Sequence, residues 1–418
     1  MTNISLEEGF YPFLNFRGGM KMFDKKIHSI VDSIEDWIIK QRRDIHEYPE
    51  PSRREYRTSE KVAAVLTELG LEVKTGYYTT GVVGIIRGKK EGKTVGLRFD
   101  MDALEMAEMT DLPFKSKNKG IMHACGHDGH TAMGLGVAKA LMQMKDEIHG
   151  TIKLIFQPAE EDAPNGGGAQ HMIKDGALKD PEVDFMIGMH LWPHLKLGEI
   201  GTKPGVLMAA SDPFTVDIIG KGVHASLPNE GIDPIVIGCQ IVTNIQTIIS
   251  RNIDPFEPAV VSIGIFNGGT RYNVIPEKVR LEGTVRTFHD EVRKKVYNRL
   301  KTIVEDTAKS LGGKARLDYR FTYPPLINDE KTVEIAKRSV EEILGKDNFV
   351  SVKRPAPGGE DFAYFAREVP SVYMLLGYAE EGKELYPPHN PHFDFNEKAL
   401  AIGTKVFIQT ALNLGRLE

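Results

Sequence analysis

Cysteine is nearly absent: the 418-residue chain has two, Cys125 and Cys239. At most one bridge can form, so a disulfide-stapled secreted scaffold is excluded. The scarcity fits a reducing, cytoplasmic setting. Long apolar runs are missing as well. The stretches at 82–86 and 235–237 fall far short of the roughly 18–20 residues that a membrane-spanning helix needs. The first twenty residues hold Glu7 and Glu8 and lack a basic region followed by an apolar core, so no secretory signal is read there. Positive charge is not in excess either. Lys plus Arg number 53 against 58 Asp plus Glu, a net charge of −5. That balance gives no general attraction for nucleic acid or anionic lipid. What is present, 41% hydrophobic and 27% charged residues, is ordinary globular usage and excludes a disordered or fibrous chain.

Helical spacing marks residues 29–48, with Ile30, Ile34, Trp37, Ile38 and Ile45 on one face, and residues 58–70. Strands are predicted at 82–86 and 94–99, a helix at 131–144, and buried strands at 151–157 and 183–189. Helices alternating with such strands imply βαβ units. Near Ala209 the character changes. A strand at 214–219, a helix at 235–249, strands at 259–265 and 279–287, a helix at 291–311 and a strand at 315–323 spell βαββαβ, the ferredoxin-like order. After Pro324-Pro325 the alternation resumes, with a helix at 331–344 and a strand at 371–375. The reading is an α/β chain: an N-terminal extension over 1–22, a catalytic domain split between 23–208 and 324–418, and an inserted domain over 209–323.

Five places carry candidate chemistry. Asp100 and Asp102 end one strand and share a face. Cys125, His127, Asp128 and His130 crowd the run before the 131–144 helix, Glu160 and Glu161 follow the strand at 151–157, His190 ends the strand at 183–189, and His389 and His392 sit in a Pro-rich loop. In open α/β sheets, ligands sit beyond the carboxyl ends of the strands. Thiolate, imidazole and carboxylate are the usual zinc donors. Two adjacent glutamates permit a division of labour, one binding metal and one acting as a base. Each piece alone has a plain structural reading: a packed histidine, a solvated acid pair, a turn cap. Cys239 reads as a small core residue of the 235–249 helix. Gly166-Gly167-Gly168 lacks the Lys-Ser/Thr of a phosphate loop.

The chain resembles the M20 family of metallopeptidases, in the subgroup of N-acyl-amino-acid amidohydrolases, hippurate hydrolases, auxin-conjugate hydrolases and some carboxypeptidases. The motifs that carry the resemblance are Asp100-Met101-Asp102-Ala103-Leu104, the His123 to His130 run, Gln157-Pro158-Ala159-Glu160-Glu161, Gly188-Met189-His190, Gly222-Val223-His224-Ala225-Ser226, Gly268 to Pro276, Gly359-Glu360-Asp361-Phe362 and His389-Asn390-Pro391. The resemblance implies a central mixed sheet flanked by helices, with an inserted ferredoxin-like lid that also dimerises. It implies two divalent metal ions on Cys125, His127, Glu161, His190 and His389, a metal-bound hydroxide as nucleophile and Glu160 as general base. The thiolate favours zinc, with cobalt, manganese and nickel open. Asp102, Asp128 and, less closely, Asp100 would orient the histidines. His224 would reach the site of a partner subunit in a homodimer as an oxyanion donor, and Asn273 and Arg286 would contact the substrate's carboxylate or carbonyl. The implied activity is hydrolysis of the amide of an N-acyl, aroyl or aminoacyl amino acid with a free carboxylate. The alternatives are a carboxypeptidase acting mainly on peptides, a non-catalytic binding protein on the same fold, or another metal-assisted reaction such as deamination or lactone opening.

Overall fold

The computed structural model describes residues 17–417. Residues 1–16 of the N-terminal extension lie outside them, and a helix, Arg17–Ser33, opens the described chain. Two large sheets, beside two short two-stranded ones, follow from two kinds of strand. The runs 81–86, 94–100 and 152–157 are buried on both faces, because helices cover both sides of their sheet. They belong to an eight-stranded mixed sheet. From edge to edge it runs Glu72–Tyr77, Gly81–Arg87, His149–Gln157, Lys90–Asp100, Phe185–Lys196, Ser371–Ala379, Ile200–Thr202 and Phe349–Ser351. The four middle strands are parallel. Asp100 pairs with Gln157, and three residues past the Leu97–Ile187 pair lie Asp100 and His190. The candidate groups on these strands therefore stand level on one edge of the sheet.

Two boundaries differ from the sequence expectation in ways that matter for the site. The helix expected at 131 starts at His127. Gly126 takes φ +90° before it, and its carbonyl accepts the N–H groups of Gly129 and His130, so the first turn closes early. The same helix carries Gly134, where a Cβ would stand 2.7 Å from the rings of Phe99 and Phe156. Glycine there lets the helix lie close on the strands that end at Asp100 and Gln157. His190 does not end its strand, which continues to Lys196 because it stays paired with Ser371–Ala379.

The second sheet has four antiparallel strands in the order Ala259–Gly268, Lys278–Thr287, Ala210–Ile219, Lys314–Tyr319. With the helices Pro234–Thr247 and Asp290–Ser310 it makes the βαββαβ module, and its own core includes Val216, Ile218, Ile237, Ile241, Leu281 and Leu300. Asp233 caps the first helix by accepting from the N–H of Ile235 and Val236. That helix buries Ile237, Ile241 and Ile245 at four-residue spacing. Cys239 lies two residues from Ile237, on the opposite face, and is exposed; it is not the core residue that its apolar neighbours suggested. At the joint between the two sheets, Asp212 accepts from Arg293 (2.7 Å), Tyr319 Oη (2.8 Å) and the Thr322 N–H (3.0 Å).

Candidate metal centre

The donors come from four segments. Cys125 precedes the Gly126 turn and His127 opens the helix. Glu161 follows the strand His149–Gln157. His190 lies inside the strand Phe185–Lys196. His389, at φ +67°, is pinned by its N–H to the Ala124 carbonyl at 2.7 Å. Cys125 Sγ stands 3.4 Å from His190 Nε2. Glu161 Oε1 lies 3.2 Å from His389 Nε2 and 4.0 Å from His127 Nε2. The donor atoms fall in overlapping groups, each within 4.8 Å: Cys125, His127 and His190; Cys125, Glu161 and His389; His127, Glu160 and Glu161. Shared members suit two neighbouring cations.

Hydrogen bonds turn the free lone pairs inward. His127 Nδ1 donates to the Asp102 carbonyl (3.0 Å) and carboxylate (3.2 Å), and Nε2 is buried with no partner. His190 Nδ1 donates to the Leu191 carbonyl at 2.7 Å, which leaves Nε2 toward Cys125. Glu161 Oε1 is likewise buried, and its nearest nitrogen, His389 Nε2 at 3.2 Å, pairs with it as an ion without a well-aligned hydrogen bond. Buried polar atoms are normally satisfied, so these under-satisfied acceptors fit a cation. The electrostatics agree. Burial, then Glu161 and Glu160, push the Cys125 thiol well above its ordinary range. Burial works against a charged His127, yet Asp100, Asp102 and Glu161 outweigh it and hold the imidazole up at about 10.

Behind the donors lies a buried polar network. Asp100 accepts from His130 Nδ1 (2.6 Å) and Arg98 (2.5 Å), and His130 Nε2 accepts the Leu191 N–H (3.1 Å). Asp102 accepts from Ser52 Oγ (2.6 Å) and from the Glu161 N–H (2.9 Å). Asp128 does not orient a donor histidine as expected. One residue past His127 on the helix, it points away and binds Arg42 (2.7 Å) and His46 (2.9 Å). Arg98 bonds Gln157 (2.9 Å), Glu360 (2.9 Å) and Asp361 (2.8 Å), and Tyr373 Oη donates to Glu360. Glu160 is buried beside this cluster. Burial, then Glu360 and Glu161, raise its carboxyl well above the usual range. The sequence reading assigned no role to Ser52, Arg98, His130 or Tyr373. His130 was visible in the histidine run, and the others had no local signal.

Among the described residues, no group of potential metal donors includes His224. His224 is exposed, and its Nδ1 accepts the Ser226 N–H at 3.2 Å, which leaves the proton to Nε2. The Asn273 side-chain oxygen is buried and unpartnered. The half-buried Arg286 bonds Thr284 Oγ1 and the Val285 carbonyl. His392 is exposed and lies against Tyr386.

A model of peptidase family M20/M25/M40 matches residues 96–413. The chain is 44% identical to thermostable carboxypeptidase 1 of Saccharolobus solfataricus over 382 residues, 91% of this chain and 95% of that protein. It is 38% identical to an N-acetyl-L-cysteine deacetylase of Bacillus subtilis over 410 residues, 97% of this chain and 95% of that one. A crystal structure of a Bacillus subtilis protein described as a dinuclear metal binding peptidase from the M20 family matches with a TM-score of 0.78 at 36% identity, covering 92% of this chain and 99% of that chain. The fold and its donor-lined edge are those of a metal-dependent hydrolase. The chain belongs to peptidase family M20/M25/M40. Among the described residues no helix is long and apolar enough to cross a membrane.

Cation binding requires deprotonated ligands. With His127 at about 10 and the Cys125 thiol raised, both carry protons at pH 7 and must lose them to a cation. Affinity for zinc should therefore rise with pH between about 6 and 8, and zinc added to metal-free protein in dilute buffer at pH 7 should release protons, those of His127 and Cys125 at the least. Calorimetry in buffers of different ionisation enthalpy measures this; binding without proton release would contradict the assignment.

Proposed function

We propose that the protein hydrolyses the amide bond of N-acyl, aroyl or aminoacyl amino acids that carry a free α-carboxylate. The observation that carries this reading is the pair Glu160-Glu161. Glu161 faces His389 and His127, while its neighbour Glu160 is buried beside the donors with a raised proton affinity. Two divalent cations in this donor set would lower the pKa of a water to roughly 7 and polarise the scissile carbonyl. We take zinc as the ion, on the softness of the Cys125 thiolate. Glu160 then receives the proton of the attacking water and passes it to the departing amine nitrogen. Arg286, whose guanidinium forms no ion pair among the described residues, is suited to the substrate carboxylate, and the unpartnered Asn273 oxygen is a second polar contact. No serine or cysteine nucleophile is needed, since Cys125 is taken up as a donor. A carboxypeptidase acting mainly on peptides is the second reading, favoured by the 44% identity to a carboxypeptidase.

The lid supports a homodimer. The strand Ala259–Gly268 is an edge of its sheet and exposes Val260, Ile265 and Phe266, and Tyr272 is almost wholly exposed in the following loop. Such an edge is a template for pairing with another chain. We assign His224, with its proton on Nε2, to the oxyanion of the partner's site.

Glu160→Gln should lower kcat for benzoyl-glycine on the order of 10²–10⁴-fold while zinc content stays at the wild-type level. Zinc-loaded wild-type protein that cleaves neither acyl amino acids nor peptides would sink the reading. A panel of acyl, aroyl and dipeptide substrates separates its two forms. For His224, inactive Glu160→Gln and His224→Ala chains should recover about a quarter of wild-type activity when unfolded and refolded together, because half the dimers then hold one intact site. No recovery would place His224 outside any shared site.

A further inference from the structure

The Glu160-Glu161 pair sits on a strained turn. Ala159, buried and not a glycine, takes φ +59°. Two of the contacts that hold the turn come from Asp102 and Tyr323: Asp102 accepts the Glu161 N–H, and Tyr323 Oη donates to the Glu160 carbonyl. The third comes from Glu55, 104 residues away, whose Oε1 accepts the Ala159 N–H at 2.9 Å.

Glu55 is fully buried, and it forms no ion pair among the described residues. It stands immediately before the helix Tyr56–Glu68, where an acid would ordinarily accept first-turn N–H groups, but its side chain makes no such bond. Glu50 does that work instead, taking the N–H groups of Arg57 and Thr58. Glu55 is released to point the other way. Its Oε1 also accepts the Arg53 N–H at 2.8 Å, and its Oε2 accepts Thr80 Oγ1 at 2.7 Å. A buried carboxylate with no cation is costly unless its hydrogen bonds are all made. These three partners hold the carboxylate, and one of them is the Ala159 N–H of the turn itself.

We propose that Glu55 is a positioning residue: it fixes the Ala159 turn so that Glu161 faces the metal site and Glu160 faces the reacting water. It touches neither metal donors nor substrate. The inference rests on the hydrolase reading for its kinetic part, and on the donor set alone for its binding part. What Glu55 supplies is reach and an acceptor, not charge. Glutamine keeps both, since its oxygen can serve the two N–H groups while its amide donates to Thr80 Oγ1. Aspartate keeps the charge and loses the reach.

The test compares Glu55→Gln, Glu55→Asp and Glu55→Ala with wild type. The readouts are the zinc dissociation constant of each by chelator competition, kcat and KM for benzoyl-glycine, and thermal unfolding. Gln should stay within about threefold of wild type in kcat and zinc affinity. Asp and Ala should lose kcat on the order of 10²-fold with KM within about threefold, as expected when reacting groups are misplaced. Their zinc binding should weaken tenfold or more. If Ala does not fold, the order of Gln above Asp decides. Asp equal to or better than Gln, or Ala indistinguishable from wild type in zinc affinity and kcat, would overturn the proposal. A wild-type protein without amidase activity would instead fail the functional reading, and zinc affinities would still judge Glu55.

Discussion

Everything at the site is arranged around one buried guanidinium. Arg98 is 1% exposed and faces Asp100, Gln157, Glu360 and Asp361. Those four partners come from its own strand, from the end of the neighbouring strand and from the loop that precedes the helix Ala363–Glu368. A charge moved out of water is tolerated only when its hydrogen bonds are complete, and breaking such a pair costs about 3–5 kcal/mol. The ends of two parallel strands and one loop are thus held in a single arrangement. From there order passes outward: Asp100 holds His130, and His130 holds the Leu191 backbone beside His190. Asp361 also takes the Ala169 N–H and the Gln157 amide.

Arg98 does not neutralise its surroundings. Asp100, Glu360 and Asp361 already exceed its single charge, and Asp102, Glu160 and Glu161 lie beyond them. Burial first, and then part of this surplus, raises the proton affinity of Glu160, and the carboxylates outweigh burial at His127 and draw a proton to it. A site of this kind favours added positive charge at His127 Nε2, which has no hydrogen-bond partner, and at Glu161 Oε1, which faces it at 4.0 Å. The unpartnered donor atoms and the raised proton affinity of Glu160 therefore share an electrostatic contribution, to which burial adds at Glu160.

Much of this was legible in the chain. Apolar runs marked the parallel strands, the change of pattern near Ala209 marked the βαββαβ module, and the residues that gather as candidate donors stood out by type. What could not be read depended on local backbone or on distant partners. The left-handed Gly126 started a helix four residues early and swung Asp128 to Arg42 and His46. His190 lay mid-strand because pairing with Ser371–Ala379 continued past it. Cys239 followed the apolar composition of its helix but not its buried face. Arg98, Ser52 and Tyr323 act on residues up to 263 positions away, and no spacing rule reaches that far.

The most direct test of the central claim is the X-ray absorption spectrum of the protein loaded with two equivalents of zinc. If Cys125 joins His127, His190, His389 and Glu161 around the ions, the spectrum contains a sulfur shell at about 2.3 Å in addition to nitrogen and oxygen, and Cys125→Ser removes that shell. A shell of nitrogen and oxygen alone in the wild-type protein would contradict the account.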